Sequence, residues 1–212
     1  IDLHPDAIEK TETKFHYLDC GLMNPLIKSR SKFSHKGTYG HSLMIAGSYG
    51  KIGAAVLSSK ACLKSGTGLL TVYIPQCGYN IMQTSVPEAM VSVDYYDKIV
   101  SKFPDIYNFT AVGIGPGLGK SKATQTAFID FLENLTIPCV MDADALNMIS
   151  ENKKCLEKIP PETIFTPHPG EFSRLVGNFC TGYEKLNAGK EFAKKWNVIL
   201  VLPMTAFPNH IF

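Results

Sequence analysis

Thr166-Pro167-His168-Pro169-Gly170-Glu171 sets an imidazole and a carboxylate three residues apart, directly after the apolar run Thr163-Ile164-Phe165. Pro169 presets one backbone dihedral, and Gly170 lets main chain approach a ligand closely. Helix-like sequence, Glu171 to Val176, follows at once. Free N–H groups are therefore expected beside His168 and Glu171, an arrangement suited to an anion with a metal. The plainer alternative is a strand–turn–helix whose Glu171 caps the helix.

Three further segments carry polar or glycine-rich chemistry, each after an apolar run. Asp142-Ala143-Asp144-Ala145-Leu146-Asn147 offers two acids and an amide that could hold magnesium and a phosphate-bearing ligand, or cap a helix through Asp142 or Asp144. Gly113 to Ser121 tempts a phosphate-loop reading, but Ile114 stands where the Walker pattern needs its first glycine. G-x-G-x-x-G fails as well, because Leu118 and Lys120 fall where the third glycine belongs. What remains is a glycine turn between strand and helix, either approaching a flat or phosphorylated ligand or simply making a tight connection. Gly47 to Ala55 is a second such turn, with Gly53 and Ala54 leaving room at the start of a helix or serving close packing.

The elements that position these residues alternate. Leu43–Gly47, Leu69–Ile74, Ala111–Gly115, Ile137–Met141, Ile164–Phe165 and Val198–Leu202 read as short apolar strands, with a further one at Val91–Val93. Ile52, Ala55, Val56, Ser59, Cys62 and Leu63 repeat at helical spacing, as do Thr124, Ala127, Phe128, Phe131, Leu132 and Leu135. A last helix is expected from about Glu184 to Trp196. Apolar strands alternating with helices imply an α/β fold with a mostly parallel sheet covered by helices on both faces. In such sheets ligands gather beyond the carboxyl ends of the strands, where all the motifs fall. Residues 1 to 35 are polar and irregular and read as an arm or linker preceding a domain from 36 to 212.

Composition bounds the rest. At 212 residues, 45% hydrophobic and 19% charged, the chain has the make-up of a globular protein with one substantial core. A net charge of +2 argues for neither nucleic acid nor a membrane as partner. Six scattered cysteines without a C-x-x-C pair indicate a reducing, cytoplasmic compartment and no zinc site.

In order along the chain, K-G-T-Y-G-H (from Lys36), A-G-S-x-x-x-x-G-A-A (from Ala46), S-G-T-G-L-L-T (from Ser65), V-P-E-A-M (from Val86), G-I-G-P-G-L-G (from Gly113), D-A-D-A-L-N (from Asp142) and T-P-H-P-G-E-F (from Thr166) resemble the NAD(P)H-hydrate dehydratases. The resemblance covers residues 36 to 200 and implies a three-layer ribokinase-like fold. It also implies a hydro-lyase that restores NAD(P)H from its hydrate, NAD(P)HX, with ADP or ATP and Mg2+. The implied chemistry is phosphorylation of the ring hydroxyl, then expulsion of phosphate by the ring nitrogen. Carried over by motif, Ala54, Gly117 and His168 would contact the hydrate. Asp142, Asn147 and Glu171 would lie near the phosphates, with Glu171 near the metal. Association into homo-oligomers is a further implication.

T-P-H-P-G-E is also similar to the T-P-N-x-x-E signature of ribokinase-like kinases, with His168 in place of Asn. A kinase of a vitamin-precursor alcohol and a non-catalytic nucleotide-binding module are thus the alternatives. Leu3-His4-Pro5 resembles the tail of the epimerase domain of bifunctional relatives. The family's lysine–glycine loop is replaced by Pro203-Met204-Thr205, and its G-x-G-D turn, with the catalytic Asp, is not reached by Phe212. A C-terminally incomplete domain, unable to turn over as it stands, is therefore expected.

Overall fold

The computed structural model describes residues 4, 6, 10–12, 15, 18–27, 29–204 and 207–211. Residues 1–34 and 35–212 form two compact units. In the first, the helical turn Cys20–Met23 is capped by Asp19, whose Oδ1 accepts the Leu22 N–H at 2.9 Å, and runs into a 3-10 turn at Asn24–Leu26. Of the Leu3-His4-Pro5 segment only His4 is among the described residues.

The second unit is an eight-stranded sheet with the strands β1 (His41–Ile45), β2 (Leu69–Ile74), β3 (Met90–Val93), β4 (Ala111–Ile114), β5 (Val140–Met141), β6 (Ile164–Phe165), β7 (Ile199–Met204) and β8 (Phe207–Ile211). Their spatial order is β3-β2-β1-β4-β5-β6-β7-β8. Every pairing is parallel except β7–β8. The chain winds outward in one direction from β1 to β3, then returns beside β1 with β4. The order therefore reverses between β1 and β4, and the ends of these two strands bound the crevice where such sheets bind ligands. The mostly parallel sheet follows from the alternation of apolar runs and helical periods. The antiparallel β8 is an addition beyond the last strand expected at Val198–Leu202, and Thr205 lies outside the described residues.

The helices are α1 (Ile52–Lys64), α2 (Tyr79–Ser85), α3 (Lys122–Asn134), α4 (Asp144–Glu151), α5 (Pro169–Val176) and α6 (Gly182–Trp196). Successive strand residues point to opposite faces, and the buried side chains divide accordingly. Leu70, Val72 and Ile74 pack with Ile52 and Ala55 of α1 and Met82 of α2. Leu43, Ile45 and Tyr73 join a second core with Phe128 and Leu132 of α3, Leu146 of α4, Phe172 of α5 and Phe192 of α6. Phe128, Phe165 and Phe172 are wholly buried, and each contributes roughly 1.5–3 kcal/mol by leaving water. The expected period of α3 holds: Thr124, Ala127, Phe128, Phe131 and Leu132 are its buried positions, and Ser121 caps it by accepting the Thr124 N–H.

One loop braces the crevice from outside the helices. Asp94, just past β3, is 1% exposed. Its carboxylate accepts the N–H groups of Tyr96 (2.8 Å), Ser101 (2.8 Å) and Lys102 (3.0 Å), the Ser101 hydroxyl (2.8 Å) and the Tyr73 hydroxyl (3.3 Å). Burial alone would raise its pKa, but these donors together hold it below the ordinary carboxylate value. Burial and the neighbouring carboxylate push the Tyr73 phenol up to about 12. The loop so folded offers its Lys98 carbonyl to the Tyr49 N–H at 2.9 Å, and so anchors the turn after β1.

Candidate functional site

The turns after β1 and β4 are fastened to each other. Gly47 N–H donates to the Pro116 carbonyl at 2.8 Å, and the Ser48 hydroxyl donates to the Gly117 carbonyl at 2.7 Å. Gly117 has φ +68, and a Cβ there would lie 2.9 Å from both the Ala54 Cβ and the Lys51 carbonyl oxygen. Ala54 and Gly117, assigned from distant motifs, thus face each other across the switch point. Gly53, beside Ala54, has nothing within 4 Å of where a Cβ would stand, so the start of α1 is open on that side.

The next strand tips continue the same edge. Asp142 N–H donates to the Ile114 carbonyl at 3.0 Å, and Thr166 N–H to the Met141 carbonyl at 3.2 Å. β6 lies two strands from β4, or about 10 Å at ordinary strand spacing. His168 therefore stands on the same edge as Gly117 but does not adjoin it, a separation a dinucleotide can span.

At the start of α5, His168 and Glu171 form a reciprocal cap. The imidazole Nδ1 accepts the N–H of Gly170 at 3.0 Å and of Glu171 at 3.4 Å, while a Glu171 oxygen accepts the His168 N–H at 3.0 Å. The capping alternative for Glu171 is thus realised, in partnership with the imidazole. Because Nδ1 is an acceptor, the ring N–H sits on Nε2, which is 3.4 Å from the other Glu171 oxygen. The Glu171 side chain is 6% exposed and that of His168 60% exposed. The pair thus presents a wet imidazole edge above a buried carboxylate.

α4 is capped by neither Asp142 nor Asp144; its N-cap is Ala143, at φ +49 and without a side-chain bond. Asp144 instead accepts the Gly119 N–H at 2.8 Å and lies 3.5 Å from the Lys51 ammonium. Asn147 donates to Asp144 at 3.4 Å and accepts the Arg174 Nε–H at 3.0 Å. The hydrogen bonds of Asn147 are therefore directed to Asp144 and to Arg174 of α5. Motif reading assigned no role to Lys51, Ser48, Arg174 or Asp94. The one available signal was the opposite charge of Lys51 and Asp144 in two segments that both follow strands.

Magnesium bound with a nucleotide needs one or two carboxylates and otherwise uses phosphate oxygens and water. Asp142 just past β5 and Glu171 just past β6 are hard oxygen donors following neighbouring strands, while among the described residues no group of three or more potential ligands is gathered for a metal. Among the described residues no helix is long and apolar enough to cross a membrane. All six cysteines are free, and burial pushes the Cys139 thiol up to about 12.

Residues 42–205 match the family model described as NAD(P)H-hydrate dehydratase. A bifunctional NAD(P)H-hydrate repair enzyme of Coxiella burnetii is 37% identical over 181 residues, 84% of this chain and 36% of that protein. The ADP-dependent (S)-NAD(P)H-hydrate dehydratase of Bacillus subtilis is 34% identical over 192 residues, 86% of this chain and 66% of that protein. The crystal structure of a Bacillus subtilis ADP/ATP-dependent NAD(P)H-hydrate dehydratase, co-crystallised with ATP and Mg2+, superposes with TM-score 0.70 at 29% identity, over 87% of this chain and 65% of that one. A ribokinase-like superfamily protein from Enterococcus faecalis shares the fold, with TM-score 0.76 at 24% identity over 95% of this chain and 71% of that one. The chain spans only 34%, 36% and 42% of the length of three bifunctional relatives.

Proposed function

Since the chain belongs to the NAD(P)H-hydrate dehydratase family, we propose that it is the dehydratase part of a cofactor-repair enzyme, removing water from NAD(P)HX with ADP or ATP and Mg2+. The observation that carries this is the meeting of Ala54 and Gly117 at the switch point, with His168 farther along the same edge.

In this reading Ala54 and Gly117 line the edge of the hydrate's seat, and a side chain at Gly117 would push the two turns apart, since its Cβ would stand 2.9 Å from the Ala54 Cβ. The Nε2–H of His168 donates to the hydrated nicotinamide, and its Nδ1 is spent on the helix cap. Glu171 holds that imidazole and, with Asp142, provides carboxylate oxygen for the metal. Bound there with the nucleotide, Mg2+ would neutralise charge on the phosphates. Asn147 serves the phosphate region through Arg174, which it holds. The ring hydroxyl oxygen takes the terminal phosphoryl group of ATP or ADP, the P–O bond to the departing ADP or AMP breaks, and the hydroxyl proton passes to water. The ring nitrogen lone pair then expels phosphate, and loss of the neighbouring C–H proton restores the double bond. Six free thiols suit a reducing, cytoplasmic compartment for such an enzyme.

The test is regeneration of NADPH absorbance from purified hydrate by the natural full-length polypeptide, with ATP or ADP and magnesium. Persistence of the hydrate under all these conditions defeats the reading. His168→Asn separates the two jobs of the imidazole. Asparagine caps helices well, so stability to urea should stay within about 0.5 kcal/mol of the parent. Hydrate affinity should fall about tenfold or more, because the Nε2–H donor is lost. Calorimetric titration of hydrated NADPH checks this, and unchanged affinity would remove His168 from the binding site.

A further inference from the structure

The turn after β4 has three glycines at positive φ, namely Gly115 at +128, Gly117 at +68 and Gly119 at +74. Such a turn has little stiffness of its own and must be held from outside. Three of its tethers to other segments are neutral: Gly115 N–H to the Ile45 carbonyl, Gly47 N–H to the Pro116 carbonyl, and the Ser48 hydroxyl to the Gly117 carbonyl. The fourth is charge-assisted, the Gly119 N–H on the Asp144 carboxylate at 2.8 Å.

Asp144 is unusual in where it spends its charge. An acid in the first turn of a helix is well placed to accept its own helix's free N–H groups. Here the preceding Ala143 sits at φ +49 and ψ −117, α4 is left without a side-chain cap, and the carboxylate goes to another segment. Its Oδ2 also lies 3.5 Å from the Lys51 ammonium, at the entry of α1. Its Oδ1 accepts from Asn147, which in turn accepts from Arg174 on the helix that His168 begins. One carboxylate therefore ties the turn bearing Gly117 to the start of the helix bearing Ala54, and through Asn147 to the helix after β6.

We propose that Asp144 is a positioning residue for the hydrate site, a strut that holds the Gly117 turn against the start of α1 and in register with the His168 helix. It acts through Gly119, Lys51 and Asn147 and touches no reacting atom. The assignment rests on the proposed function for the identity of the ligand.

The test uses the full-length protein and the variants Asp144→Asn and Asp144→Ala. Amide hydrogen exchange over residues 115–119 reports the strut without any ligand. Calorimetry with hydrated NADPH reports the site. In Asp144→Ala, exchange at Gly117–Gly119 should rise about tenfold and hydrate affinity should fall about tenfold, with exchange in α3 unchanged. Asp144→Asn keeps an acceptor for the Gly119 N–H but loses the charge, and should fall between parent and alanine on both readings. It carries the comparison should the alanine variant not fold. Unchanged exchange in the turn overturns the inference. So does faster exchange with undiminished hydrate affinity, or a loss of affinity accompanied by faster exchange throughout α3, which would mark a merely structural residue. A parent protein that fails to bind the hydrate defeats the proposed function instead, and the exchange measurement then decides the strut alone.

Discussion

Gly115→Ala is expected to destabilise the protein by about 3 kcal/mol or more, and to leave much of it unfolded at moderate urea. Gly115 has φ +128, a region that side chains other than glycine rarely enter. A Cβ there would stand 1.8 Å from the Asp142 carbonyl oxygen and 3.0 Å from the Ala145 Cβ. Both obstacles are fixed, the first being backbone at the tip of β5 and the second part of α4. Relief would require β4 and β5 to part at the point where the motif-bearing turns begin. Gly53→Ala is the matched control, since nothing lies within 4 Å of its Cβ position and φ is ordinary. It should be neutral or slightly stabilising, because alanine is the better helix former. Urea denaturation of both variants checks the contrast, and a Gly115→Ala protein as stable as its parent would mean that the two strand tips are not packed as described.

Asp94→Ala should cost a comparable amount, about 3 kcal/mol, because it removes the shared acceptor of five donors at once, one of them the buried Tyr73 hydroxyl. The same group predicts a pH dependence. Its folded-state pKa lies below the unfolded value of about 3.9, so its contribution is complete above that pH and is lost as the pH falls through the folded value. The parent should therefore lose stability on acidification below about pH 4 more steeply than Asp94→Asn, which has no carboxylate to protonate. Urea midpoints measured from neutral pH down to pH 3 provide the comparison, and parallel curves would show that Asp94 contributes nothing to acid lability. The expected effect extends to the site, because the loop that Asp94 folds holds the Tyr49 N–H through the Lys98 carbonyl.

Much of the architecture was legible because apolar periodicity reports burial directly. The two faces of β1 and β2, the buried stripe of α3 and the placement of every polar motif after a strand all follow from it. β8 was not legible, since Pro203 and Pro208 weaken any strand signal around the reversal. α6 begins at Gly182, two residues before the expected Glu184, because Thr181 and Glu184 form a reciprocal cap that could have been read as T-x-x-E. That the turns bearing Ala54 and Gly117 lie along one edge of the sheet was legible because each directly follows an apolar strand. Asp94 was not reachable. Three of its five donors are backbone N–H groups up to eight residues away, and backbone donors leave no trace in residue identity.

The ladder between β1 and β2 has five residue pairs, but the ladders β4–β5, β5–β6 and β6–β7 have two each. The middle of the sheet is thus a narrow waist between two broader wings, with the wholly buried Met141 and Phe165 packed within it. A molecule lying over the ends of β4, β5 and β6 would bridge that waist like a splint. Occupancy would then be felt as stiffness across the whole sheet, with the wings moving as one body when the ligand is in place and more independently when it leaves.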